Sequence, residues 1–417
     1  MTARPRVLLV TPVPPYPPDN GGLLRIYSLV KRLSERYDFS LLTFVRSTGE
    51  RRFQQNAAAM ALGRLFSQVH AVPKESTELP RAAVPDMPGT AREWFSPEMA
   101  GTLARLTSEG KVDLVHVEFL QMAFYSWYVR GVPAVLTEHD LSHLSLFRSY
   151  FREWTGLRRF ARVGEWLATR RYHREVCSRF DGLVALTPGD RDLLRRGVPE
   201  GKVSLIPTCV DLDRFSFRAE PEAGAAVDLA YVGHYPHYPN EDAALWFCRR
   251  VMPLVRRQRP QTTLSLIGSS PTEAVRALAG GGVEVTGTVP DVRPCLDRAK
   301  VFVAPVRLGF GVKGKVLEAF ARGLPVVATS SVRDGIPESR PEEHLLLADS
   351  PRDFARQTLR LLEDAGLRRR LAAAGRALAE RHYAWDASCA KLDDLYRSLL
   401  EPRARREEPA ASPAPCA

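Results

Sequence analysis

Three short stretches of this chain bring together residue types that can do chemistry. In the first, Gly309, Gly311 and Gly314 alternate with Lys313 and Lys315, with Arg307 just before and Glu318 just after. Glycines let a backbone approach a ligand closely, and cations beside them suit a diphosphate. Glu318 lies one helical turn beyond Lys315, so both point along one helix face. A carboxylate there can accept two ribose hydroxyls; the plainer alternative is an i,i+3 surface ion pair worth a few tenths of a kcal/mol. In the second stretch, Gly21 and Gly22 precede the apolar stripe Ile26, Leu29, Val30 and Leu33. Two glycines opening a helix expose free N–H groups at the positive end of its dipole; a plain turn reads equally well. The third is Thr137-Glu138-His139-Asp140, directly after an apolar run. A histidine there can donate to a sugar hydroxyl or handle a proton, or simply be a hydrogen-bonded loop residue.

These residues need elements to hold them. Short apolar runs alternate with amphipathic segments along the chain. The first half gives strands near Val7–Val13, Ser40–Phe44, Val69–Val72, Leu114–Val117, Ala134–Thr137, Leu183–Thr187 and Val203–Ile206. The second gives Leu229–Val232, Thr263–Ile267, Val283–Thr286, Val301–Pro305, Val326–Thr329 and Leu345–Leu347. Continuous apolar strands separated by helices predict buried parallel sheets. The fold class is therefore α/β, with two doubly wound, Rossmann-like lobes. The predicted divisions are 1–206 for the first lobe, 207–218 for a hinge and 219–384 for the second lobe. A closing helix at 385–401 presents Trp385, Cys389, Leu392, Tyr396 and Leu399 on one face, and 402–417 reads as a disordered tail. Open α/β sheets bind ligands at the carboxyl ends of their strands, where all three stretches fall.

Composition narrows the field. Hydrophobic residues are 45% and charged residues 26%, an ordinary globular balance. No apolar run approaches the ~20 residues that span a bilayer, and the N-terminal apolar run reads as a first strand rather than a leader. Six scattered cysteines without C-x-x-C spacing suggest reduced thiols in a cytoplasmic protein. The nine histidines form no local metal-binding spacing, so no metal site is expected. The net charge is +11, and residues 1–210 carry 29 basic against 21 acidic residues, or +8 of it. Much of that excess lies in Arg152–Arg179, with eight arginines against Glu153, Glu165 and Glu175. No nucleic-acid-binding pattern accompanies it, so no nucleic-acid partner is expected. The stretch reads as a solvated helical face or as a surface for anionic lipid at the inner membrane. Asp190-Arg-Asp192, at the start of a short helix where Asp is a natural cap, and Asp211-Leu-Asp213, in the hinge, both read as structural rather than as metal pairs.

Gly309–Thr329 is similar to the donor-site signature of the retaining glycosyltransferases of the two-lobed GT-B fold, family 4 (group 1). Gly21-Gly22, His139-Asp140, Leu205–Phe215 and Tyr231–Asn240 match further pieces, and the likeness runs over roughly residues 5–400. The resemblance implies a nucleotide-diphosphate sugar as donor, held mainly by the second lobe. Glu318 would take the ribose. Arg307, Lys313 and Lys315, with Gly309, Gly311, Gly21 and Gly22, would take the diphosphate. His139, with Lys315, would serve catalysis, and the base would lie near Gly268, Thr288 and Val289. Arg25, His234, Asn240 and Phe310 are secondary candidates. The family transfers with retention and without a metal or other cofactor. A saccharide or lipid-linked saccharide acceptor would follow from the exopolysaccharide-associated subgroup.

The chain departs from the pattern at three points. Phe310 stands where the first Glu of the family's E-x7-E pair would be. Gly233–Asn240 replaces the usual phosphate clamp after the second lobe's first strand, with His234 as a stand-in. Thr208-Cys209 replaces Asn-Gly at the hinge. Phe310 keeps open a non-catalytic partner protein of this fold, and a sugar-nucleotide epimerase shares the architecture. A nicotinamide oxidoreductase is the remaining alternative, because Gly309, Gly311 and Gly314 also spell G-x-G-x-x-G with Asp334 after the next strand.

Overall fold

The computed structural model describes residues 3–18, 21–45, 60–74, 89–139, 158–199, 201–218, 227–308 and 312–401, without side chains at 89–90, 158–166 and 168. The predicted tail at 402–417 lies outside the described residues, as does the polar segment 219–226 beside the hinge.

Two parallel sheets account for the described strands. The first contains β1 (Arg6–Thr11), β2 (Asp38–Val45), β3 (Gln68–Pro73), β4 (Leu114–Glu118), β5 (Ala134–Thr137), β6 (Gly182–Ala185) and β7 (Val203–Leu205). Their order is β3-β2-β1-β4-β5-β6-β7. The second contains β8 (Val227–Val232), β9 (Leu264–Ile267), β10 (Val283–Gly287), β11 (Ala299–Ala304), β12 (Val326–Ala328) and β13 (Leu346–Leu347), ordered β10-β9-β8-β11-β12-β13. In both, the order reverses beside the lobe's first strand, where a doubly wound sheet opens its ligand crevice. Successive β1 residues alternate between cores: Leu8 and Val10 join one apolar cluster, Val7 and Leu9 the other. A strand buried on both faces reads as an unbroken apolar run for this reason.

Five helices carry or brace the site residues: α1 (Gly21–Leu33), α2 (Arg158–Ser178), α3 (Tyr238–Trp246), α4 (Gly314–Arg322) and α5 (Trp385–Leu400). The sequence places the start of α1 after its glycines, whereas Gly21 and Gly22 form its first turn. First-turn N–H groups have no intrahelical partner, so the usual cost of glycine within a helix is reduced there. The Asp190 expectation also shifts. Thr187 is the cap of the helix Pro188–Arg195, its Oγ1 accepting the Asp190 N–H at 3.1 Å, and Asp190 answers from the first turn. Asp211 accepts the Arg214 N–H in the connection between the sheets.

Helix α5 belongs to the second half of the sequence but packs on the first sheet's core, through Trp385, Leu392 and Tyr396. Its Asp393, almost fully buried, accepts from the Tyr37 hydroxyl at 2.8 Å and pairs with Arg36 at 2.6 Å and Arg397 at 2.8 Å. Tyr396 meets His116 Nδ1 of β4 at 2.5 Å. The connection itself is pinned where Val210 forms a parallel bridge to Ala384. The two halves are thus joined by a return crossing as well as by the direct connection.

Candidate functional site

The first sheet contributes a histidine held from behind. Strand β4 ends in Glu118, fully buried, and β5 is followed by His139. His139 Nε2 lies 2.6 Å from Glu118 Oε2. Burial raises the Glu118 carboxyl, but His116 and His139 outweigh it, so the group is held below the usual carboxylate range. An ionised carboxylate only accepts, which makes Nε2 the donor and leaves Nδ1 of a neutral ring as the acceptor. That Nδ1 faces α1: a Cβ on Gly22 would lie 3.3 Å from it and 2.9 Å from the Phe119 ring. Phe119 stacks on His139 at 4.0 Å between ring centroids. It does so from φ 73°, a left-handed conformation that costs a non-glycine residue about 1–3 kcal/mol. Glycine at 22 is therefore required by close approach, whereas Gly21 faces open space.

His116 and Arg25 lie deeper. Burial pushes His116 down to about 4, with Glu118 pulling the other way, and it bridges the Thr137 hydroxyl at 2.7 Å and Tyr396. Arg25 is fully buried; its Nη2 donates to Ile206 O at 3.3 Å, while Nε and Nη1 reach no acceptor. Burial lowers its pKa, with Glu118 pulling the other way. It braces the underside of α1 rather than standing at the surface.

The second sheet contributes a knot of polar groups between β8, α3 and the start of α4. Lys315 Nζ donates to Asn240 Oδ1 at 2.5 Å and to the Tyr231 hydroxyl at 3.2 Å, and sits 4.7 Å from the Tyr231 ring centroid. Asn240 turns its amide to His234 O at 2.9 Å. Burial and Lys313 lower the Lys315 ammonium to about 7. Burial raises Glu318 to about 7, against Arg214 and Lys315, which stabilise its charge. No ion pair joins Lys315 to Glu318, and no hydrogen bond reaches the Glu318 carboxylate among the described residues. The surface-pair alternative therefore does not hold. Lys313 is buried and forms the cap position of α4, whose first residue is Gly314.

Other sequence candidates are placed differently. Arg307 does not stand free. It makes a bidentate pair with Asp242 of α3, at 2.6 and 3.2 Å, and lies over the Trp246 ring. His234 is exposed, with Nδ1 2.7 Å from Ser269 Oγ. Gly268 takes φ 137°, and a Cβ there would lie 1.9 Å from Gly233 O, so it is fixed by the packing of two loops. The Thr288 hydroxyl accepts the Ser270 N–H at 3.2 Å, and Val289 packs on the second core. Gly309, Phe310, Gly311 and Asp140 lie outside the described residues. Next in sequence, Val312 packs against both sheets' cores. This contact brings the start of α4 against the first sheet's core.

Glu118, Phe119, Asp242 and Arg214 were not marked by the sequence reading. A single acidic residue closing the apolar run Leu114–Val117 was the available signal for Glu118. The nicotinamide alternative loses its position. The G-x-G-x-x-G run follows β11 and not the lobe's opening strand β8, which is followed by Gly233.

Comparison with known proteins follows the same two-part layout. Residues 19–214 match the family model described as Glycosyltransferase Family 4, and residues 226–364 match Glycosyl transferases group 1. A D-inositol 3-phosphate glycosyltransferase of Nocardiopsis dassonvillei is 26% identical over 54% of this chain and 57% of its own length. A GDP-mannose-dependent monoacylated alpha-(1-6)-phosphatidylinositol monomannoside mannosyltransferase of Corynebacterium glutamicum is 33% identical over 37% of this chain and 43% of its own. The chain thus spans about half the length of these two relatives. Among solved structures, Anabaena HepE in complex with UDP superposes with a TM-score of 0.68 at 13% identity, covering 94% of this chain and 100% of that one. At that identity the likeness is one of fold: two parallel-sheet lobes of GT-B type.

Proposed function

The chain belongs to the family 4 glycosyltransferases (glycosyl transferases group 1), and from that premise we propose that it moves a sugar from a nucleotide-diphosphate donor to an acceptor, with retention and without a metal at the donor. The observation that carries this reading is the pair at the start of α4. Burial lowers Lys315 and raises Glu318, each to about 7, and no salt bridge joins the two. Such a pair has its charges desolvated in advance of a ligand that would stabilise both. A diphosphate satisfies the ammonium and ribose hydroxyls satisfy the carboxylate. The N–H groups of α1 and α4 add dipole ends. Cationic stabilisation of the departing diphosphate is the dominant catalytic contribution in this scheme. His139, oriented by Glu118, presents Nδ1 toward the transferred sugar, and the leaving phosphate takes the acceptor's proton on the same face.

Arg307 takes a supporting part here, holding α3 and so Asn240, unless the ligand displaces Asp242. The acceptor is a saccharide or lipid-linked saccharide of cell-surface polysaccharide synthesis, met at the first lobe on the cytoplasmic side of the membrane. No described helix is long and apolar enough to cross a membrane. The described arginines of α2, Arg170, Arg171 and Arg174, are exposed beside an exposed Leu167, a combination that fits a peripheral anionic surface.

The test is donor hydrolysis by the purified full chain against a panel of nucleotide sugars without acceptor. Slow release of sugar and nucleoside diphosphate from one of them is the expected result. Binding without any turnover, with or without saccharide acceptors, would favour the non-catalytic partner protein instead.

A further inference from the structure

One buried cluster takes no part in the scheme above. Glu138, next to His139 in sequence, lies against His173 and Cys177 of α2, and all three side chains are buried. His173 and Cys177 are four residues apart on one helix face. Glu138 comes from the exit of β5, so the trio is invisible as a sequence spacing.

The geometry points to a tetrahedral zinc-type site. His173 Nε2 is 3.3 Å from Glu138 Oε1 and 3.5 Å from Cys177 Sγ. At ordinary zinc bond lengths, tetrahedral ligands stand about 3.3 Å apart for a nitrogen–oxygen pair and about 3.5 Å for a nitrogen–sulfur pair. The carboxylate supplies the independent observation. Glu138 is 1% exposed, and although His173 is at ion-pair distance, neither oxygen receives a hydrogen bond. A buried carboxylate is normally well provided with donors, and one without them is aimed at something else. A carboxylate and a thiolate together balance a dication, and the mixed nitrogen, sulfur and oxygen set suits a borderline-soft metal. Binding converts the Cys177 thiol to thiolate, its proton leaving to solvent. A 230 Å³ pocket lined by His173, Cys177, Leu193 and Leu194 gives an entry path and room for a water or small anion as fourth ligand. The ion would be structural: it would tie the exit of β5, and hence His139, to α2. It is separate from the donor, so it stands or falls independently of the proposed reaction.

The full chain is stripped with chelator and titrated with Zn²⁺ and with Co²⁺. The expected result is one ion per chain, a thiolate-to-cobalt charge-transfer band, and a melting temperature that rises with Zn²⁺. Cys177→Ser removes the band. Glu138→Gln, nearly isosteric, folds without metal and loses the Zn²⁺-dependent rise. A band that persists in Cys177→Ser would place the ion on another thiol and overturn the assignment. So would a melting temperature indifferent to chelator and Zn²⁺ in the unsubstituted chain, which would leave Glu138 and His173 as an ion pair only.

Discussion

In the proposed scheme Lys315 and Glu318 set the pH behaviour of donor binding. The free Lys315 ammonium titrates near 7, lowered by burial and Lys313. A bound diphosphate raises it, so above about 7 binding takes up a proton and affinity falls as pH rises, by up to about tenfold per pH unit. Free Glu318 also titrates near 7, raised by burial. Ribose hydroxyls favour the carboxylate, so below about 7 binding releases a proton and affinity falls as pH falls. Nucleoside diphosphate affinity should therefore peak near neutrality. Lys315→Arg keeps its charge throughout and should lose the alkaline limb even if binding is weaker overall; Glu318→Gln should lose the acid limb. Calorimetric titration from pH 6 to pH 9 checks this, and an alkaline limb unchanged in Lys315→Arg would assign it to another group. Both residues were legible in the sequence as part of a glycine-rich, cationic run. Glu118 was not: one carboxylate closing an apolar strand reads as a strand end, and only packing reveals that it orients His139. The partner of Arg307 was hidden for a related reason. The loop position of Arg307 suggested a ligand, while Asp242, far away in sequence, had already engaged it.

At the level of elements, the central strands were readable because they are buried on both faces and appear as apolar runs, whereas β3 and β10 at the sheet edges are largely exposed or half-buried. The helix α5 was readable from its four-and-three spacing, but its partners were not, since the Tyr396–His116 and Asp393–Tyr37 contacts span some of the longest sequence separations in the fold. Helix α2 shows how one element can serve two environments. Its buried face carries His173 and Cys177, and its outer face carries Arg170, Arg171 and Arg174. If the outer face meets anionic lipid, each arginine contributes up to about 1 kcal/mol. Flotation with vesicles should then recover more protein on anionic than on neutral lipid, and Arg170→Glu with Arg174→Glu should erase the difference. Equal recovery on both lipids would leave α2 as a solvated face.

Across the whole molecule, length and alternation were enough to read two α/β lobes, and the family models fall on the same two halves. Sequence did not show how the halves meet, because that depends on α5 crossing back and on Val312 touching both cores. That meeting places two helix N-termini, a carboxylate-backed histidine and the Lys315–Glu318 pair at the carboxyl ends of two sheets. The net charge of +11 divides accordingly. In the proposed scheme a few cations around α4 serve the donor, and most of the surplus lies on the first lobe. The most direct test is calorimetric titration of the full chain at pH 7 with UDP, GDP and ADP, repeated with Lys315→Ala. A charge-assisted contact of about 1.5–3 kcal/mol predicts that at least one nucleotide binds and that the substitution weakens it by about tenfold or more. No binding by any of the three, or an affinity unchanged in Lys315→Ala, would contradict the assignment of this site to a nucleotide-diphosphate sugar.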